Sequence, residues 1–183
     1  MGTEIHRRLV LLAIVGAIAV TWTVALSDTG VSPLATAAAA TPPQHAPVAR
    51  VKRCPFPRTL RGAFESASVD ASIPPAMLYA VAKVESNLHP DAESAAGARG
   101  LLQLMPATAK ALDLNVDEPQ SNVLAGARYL RQLLDRFSST DVALAAYNAG
   151  PTAVDAAGGA PSGAVQTYVA NVNRIWHSVA GCS

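Results

Sequence analysis

Charge is scarce in this sequence. Only 15% of its 183 residues are Asp, Glu, Lys or Arg, and the formal net charge is +1. There is no basic stripe and no interleaving of aromatic with basic residues, which excludes nucleic acid as an expected partner. Sustained period-two alternation is also missing, so no segment reads as an ordinary half-buried strand. Cysteine occurs only twice, and no cluster of ligand-type residues accompanies it. A metal site is therefore not expected, and no other cofactor is implied.

What the chain has is apolar residues, half of the total, with abundant alanine. That composition suits a helical domain behind an apolar leader, and the length accommodates one domain plus a targeting segment. Arg7 and Arg8 precede an apolar run from Leu9 to Leu26, interrupted only by Gly16, Thr21 and Thr23. A short basic end before such a run directs export. Residues 1–30 then form either a signal peptide, cut after Ala25-Leu26-Ser27 or near Ala35-Thr36-Ala37, or a single membrane anchor over residues 9–26, which just reach spanning length. The expected location is extracellular, in the cell wall or in the periplasm, with any membrane contact through that anchor alone. Residues 31–57, rich in Ala, Pro and Thr, read as a linker. Residues 58–183 form the folded domain, expected to be a monomer. Cys54 and Cys182 bracket it. In an exported protein an even pair is usually a disulfide; the alternative is two unrelated thiols.

Helical spacing dominates the domain. Helices are expected over Thr59 to Ser68, from Pro74-Pro75 to Glu85, from Ala107 to Leu112, from an N-cap at Asn122 to Phe137, from Asp141 to Asn148, and from about Ser162 to Val179. Gly150-Pro151 is read as the stop after the fifth of these. The last is expected to bury Val165, Val169, Val172 and Trp176. The fold class is all-α, with any β element very short and confined to residues 92–104.

One carboxylate is set apart by its surroundings. At about 100° per residue, Met77, Leu78, Val81, Val84 and Leu88 share a helical face, and Glu85 falls on it while Lys83 points away. Desolvation raises the pKa of an acid so placed, and a glutamic acid that keeps its proton near neutral pH serves as a general acid. The other candidate acids, Asp91, Glu93 and Asp117, sit on no apolar face and read as solvated loop residues. Gly97 and Gly100 permit tight turns after Glu85. Ser94 and Gln103 bring a hydroxyl and an amide into an otherwise apolar stretch, and Tyr147-Asn148 place an aromatic ring beside an amide. Such groups suit a carbohydrate groove, although each has a plainer reading, Gln103 on a surface and Tyr147 in a core.

Taken in order, Glu85-Ser86-x-Leu88-x-Pro90-x-Ala92-x-Ser94-x-x-Gly97-Ala98-x-Gly100-Leu101-x-Gln103-Leu104-Met105-Pro106, followed by Ala146-Tyr147-Asn148-Ala149-Gly150, resemble the catalytic domain of the soluble lytic transglycosylases. These group with goose-type lysozymes in glycoside hydrolase family 23. The resemblance runs from about Leu60 to Trp176 and implies a lysozyme-like all-α fold. It implies cleavage of the MurNAc-β-1,4-GlcNAc bond of peptidoglycan strands, with formation of 1,6-anhydromuramic acid ends. Glu85 would act as general acid and then base, and the substrate's N-acetyl group would stabilise the cationic centre, an exception to the usual two-carboxylate arrangement. Ser94, Gln103, Met105, Tyr147, Asn148 and Tyr168 would line the sugar sites; Met105 has a competing reading as core filler. His89 has no role in the family and is read as a surface residue. The sequence departs from the family at Leu102, where methionine is frequent, and at Gln166, where an acid commonly precedes the Thr-x-x-Tyr-Val type segment. Two alternatives stay open: a muramidase cutting the same bond with water, and a non-catalytic wall-binding module.

Overall fold

Proline decides where much of this fold begins. In the computed structural model, which describes residues 52–182, helix α2 (Pro75–Ser86), α3 (Pro106–Ala111), α4 (Pro119–Arg136) and α6 (Pro151–Ala157) each carry proline at the first helical position. There the missing N–H would have had no partner anyway, and the fixed φ already suits a helix. The remaining helices are α1 (Arg61–Ala71), α5 (Thr140–Ala149) and α7 (Gly163–Ser178). Ser162 caps α7 by accepting a hydrogen bond from the Val165 amide at 3.3 Å. The all-α expectation holds: among the described residues the β content is two isolated antiparallel bridges, Glu93 with Arg99 and Arg99 with Leu104, inside the stretch where short β structure was anticipated.

Three local expectations need correction. Asn122 is not an N-cap. Pro119 opens α4 one turn earlier, and the Asn122 side chain is fully buried on the helix's inner face. Leu88 does not continue the α2 face: the helix stops at Ser86, where Asn87 and Leu88 take φ values of 53° and 64°. Asparagine tolerates that left-handed conformation well, and its N–H still bonds back to Lys83 O. Gly150-Pro151 ends α5 and also starts α6. The glycine, at φ 86°, turns the chain, and the proline nucleates the next helix.

Packing follows the apolar stripes. Helix α1 lies along α4, α2 along α7, and α5 contacts α4, α6 and α7. Phe64, Leu78, Leu101, Leu102, Leu130 and Leu144 are fully buried at these junctions, each worth about 1.5–3 kcal/mol of transfer from water. Val165, Val169 and Val172 are buried as expected, while Trp176 is only half-buried. Cys54 and Cys182 form a disulfide across 128 residues, with Cα atoms 4.7 Å apart. Next to it Phe56 stacks on Phe64 with ring centroids at 4.3 Å, and Arg61 donates to the carbonyl oxygens of Cys54 and Phe56. The last residues of the stretch read as linker are therefore packed against the domain. Its earlier part, like the leader and the 9–26 run, lies outside the described residues. Among the described residues no helix is long and apolar enough to cross a membrane.

Candidate active site

Glu85 sits in the last turn of α2, where the helix meets α7 and the loop 87–105. Its carboxylate accepts a hydrogen bond from the Tyr168 hydroxyl, on α7, at 2.7 Å. Burial lifts the carboxyl from its ordinary 4.5 to about 7, against the opposing pull of that hydrogen bond. The residue as a whole keeps partial exposure, so the acid is shielded yet not sealed. Tyr147, on α5, is buried nearby. Its phenol is pushed well above its usual value by burial first and then by the charge of Glu85. Tyr168 is raised in the same way, and its hydroxyl is a firm donor to Glu85 rather than a proton source.

The loop that follows is held by its own side chains. Ser94 Oγ accepts from the Ala98 amide at 3.0 Å. Gln103, at φ 44°, donates its side-chain amide to the carbonyl oxygens of Ala92 and Gly100 at 3.0 and 2.9 Å. These two predicted sugar-gripping residues thus shape the loop, leaving the Gln103 amide oxygen and the Ser94 hydrogen without a partner in those bonds. Met105 is 44% exposed, which rules out the core-filling reading, and Asn148 is exposed. The structure therefore brings Tyr147 and Tyr168 to Glu85, places Ser94 and Gln103 in the adjoining loop, and leaves Met105 and Asn148 in solvent.

No second carboxylate is among the groups that shift the Glu85 carboxyl. Asp91, Glu93 and Asp117 are exposed, and Arg99 holds Asp117 at 3.1 Å and Glu93 at 3.7 Å. Gln166 lines a separate depression of about 390 Å³ between α5 and α7, with Asp141, Val142, Val169 and Asn173. Among the described residues no group of His, Cys, Asp or Glu is arranged to hold a metal ion.

Two residues escaped sequence reasoning. Ser86 donates to Leu101 O at 2.8 Å, and the fully buried Asn122 bonds three backbone groups of the region 99–116. The available signal was an asparagine on an otherwise apolar helical face, four residues before Gly126.

A single buried acid backed by two phenols is a defined chemical arrangement, and relatives share its scaffold. The sequence profile of the transglycosylase SLT domain matches residues 62–167. The chain belongs to the transglycosylase SLT family. The matched span of this SLT domain contains Glu85, ends one residue before Tyr168 and excludes both cysteines. A transglycosylase of Enterobacteria phage PRD1 is 42% identical over 86 residues, covering 46% of this chain and 32% of the relative. The soluble lytic murein transglycosylase of Escherichia coli K12 is 32% identical over 108 residues, covering 52% of this chain and 17% of the relative. Among solved structures, an inactive mutant of the lytic transglycosylase Slt from Pseudomonas aeruginosa superimposes with a TM-score of 0.60 at 27% identity, over 70% of this chain and 25% of that one. The 70 kDa soluble lytic transglycosylase of E. coli does so with a TM-score of 0.59, over 69% and 25%. The SLT domain thus spans a third or less of these relatives.

Proposed function

We propose that this SLT domain is a peptidoglycan lytic transglycosylase in which Glu85 supplies and then recovers the proton. The observation that carries this reading is the Glu85 carboxyl, buried to a pKa of about 7 with a phenol as its hydrogen-bond partner. At neutral pH a large fraction of it is protonated, the form a general acid needs. In the first step Glu85 gives its proton to the glycosidic oxygen between N-acetylmuramic acid and N-acetylglucosamine, and the C1–O bond breaks. The substrate's own N-acetyl group takes up the developing positive charge, in place of a second carboxylate. In the second step the Glu85 carboxylate removes the proton of the muramyl C6 hydroxyl while its oxygen bonds to C1. The anhydro ring closes, the acid is restored, and no water is consumed. Tyr168 orients the carboxyl, and Tyr147 helps keep water from it. Ser94, Gln103, Met105 and Asn148 contact the glycan strand, the first two through the loop they shape.

Peptidoglycan glycan strands are the partner, the domain acts as a monomer, and it works outside the cytoplasmic membrane, delivered by residues 1–30. The Cys54–Cys182 pair fits an oxidising compartment. The P. aeruginosa relative solved as an inactive mutant carries a Glu-to-Gln change, which makes Glu85→Gln the natural test. Mass analysis of fragments released from purified cell walls should give ends lacking one water with the parent protein and no release with the variant. Ends that retain the water would make the protein a muramidase. Equal release by Glu85→Gln would remove Glu85 from the chemistry, and no release by the parent would leave a non-catalytic module.

A further inference from the structure

Asn122 lies at the first turn of α4 with none of its side chain in solvent. Its oxygen accepts from the Leu102 amide at 2.9 Å, and its nitrogen donates to the carbonyl oxygens of Arg99 and Val116 at 2.9 and 3.0 Å. Two donors and one acceptor of an amide are thus used, in an arrangement no hydroxyl or aliphatic side chain reproduces. The fit is close. At Gly100, φ 74°, an added Cβ would lie 2.4 Å from Asn122 Nδ2, and at Gly126 one would lie 2.2 Å from the Leu102 side chain. The backbone so gripped carries the acceptors of two other elements. Leu101 O receives the Ser86 hydroxyl of α2 at 2.8 Å, and Leu102 O receives the Tyr147 hydroxyl of α5 at 2.8 Å. Ser86 is the residue after Glu85, and Tyr147 is the buried ring that feels its charge.

We propose that Asn122 is a positioning residue for the Glu85 carboxyl: its amide fixes the backbone of residues 99–102, and that backbone fixes Ser86 and Tyr147 around the acid. The proposal rests on the reading of Glu85 as proton donor. Small displacements there matter, because a misplacement of about 1 Å at a reacting group costs on the order of 100-fold in rate. Loss of the grip also admits water beside the carboxyl. The titratable groups facing Glu85 are Tyr168 from α7 and Tyr147 from α5, with Tyr129 of α4 behind Tyr147 at 5.4 Å between rings. None carries a charge at neutral pH that would mask the change. The Arg99 guanidinium is held at Asp117 and Glu93, all three partly or fully exposed.

The test compares the full-length parent with Asn122→Ala, Asn122→Ser, Glu85→Gln, and a control core variant, Phe64→Leu, remote from the loop. Initial rates on solubilised glycan strands are measured from acid to alkaline pH, well below every melting temperature. For the Asn122 variants, kcat should fall roughly 10- to 100-fold with KM nearly unchanged. The alkaline limb of the pH profile should move down by about one pH unit as the carboxyl becomes hydrated. Phe64→Leu should lower the melting temperature and leave the limb in place. Folded Asn122 variants with the parent's limb and kcat would overturn the proposal, as would failure of both to fold, which would assign Asn122 to folding alone. An active Glu85→Gln would instead sink the proton-donor reading itself.

Discussion

Glu85 couples stability to pH in the opposite sense to a salt-bridged carboxylate. Its folded pKa, about 7, lies above the ordinary 4.5, so between those values the folded state binds more protons than the unfolded one. Stability then falls as pH rises through that window; the penalty is absent below about 4.5 and complete above about 7. A shift of this size corresponds to about 3 kcal/mol. Glu85→Gln carries no such penalty. Urea denaturation at pH 4 and pH 8 should show the variant gaining on the parent by about 2–3 kcal/mol between the two; equal pH dependence would mean that the carboxyl is solvated. Tyr168→Phe keeps the ring and removes a hydrogen bond that holds the Glu85 pKa down. The alkaline limb of activity should therefore move to higher pH in that variant, a direction opposite to the one expected for Asn122→Ala. A downward movement would show that the phenol serves mainly to exclude water.

At the scale of elements, periodicity and helix starts are legible wherever the local signal and the packing agree. The Pro75 start of α2, the Ser162 start of α7 and the Val165-Val169-Val172 stripe are all present in the structure. The failures share a cause. In the sequence Gly150-Pro151 reads only as a stop, because a proline's role as a first helical residue shows only when a helix follows. Asn122 reads as a cap because local preference favours it there, whereas two of its partners, Arg99 and Leu102, are distant in sequence and meet it only after folding. For the same reason, Ser94 and Gln103 could be picked out as polar residues in an apolar stretch, but not as the ties of their own loop. The α7 cap gives a direct check. Ser162→Ala removes the acceptor of the Val165 amide and should lower stability by about 1 kcal/mol, read as a fall in melting temperature of several degrees. No fall would mean that water replaces the serine hydroxyl without loss.

For the described molecule as a whole, one covalent tie joins its ends. The Cys54–Cys182 bond closes a loop of 128 residues, and on the chain-entropy account such closure stabilises the fold by about 4–5 kcal/mol, less any strain. A Cys54→Ser, Cys182→Ser double variant should unfold at clearly lower denaturant concentration than the oxidised parent. Because the pair lies outside the matched family span, the product of the reaction should be unchanged; an altered product would mean that the tie shapes the site. Within this frame α2, α5 and α7 bring one acid and two phenols together, and α4 holds the loop beside them. The central claim is that the acid keeps its proton near neutral pH. Its most direct measurement is an NMR titration of the side-chain carboxyl carbons of the folded protein, with the Glu85 signal assigned by its absence from Glu85→Gln. The account predicts a midpoint near 7 for that signal alone. A midpoint near the ordinary 4.5 would contradict it.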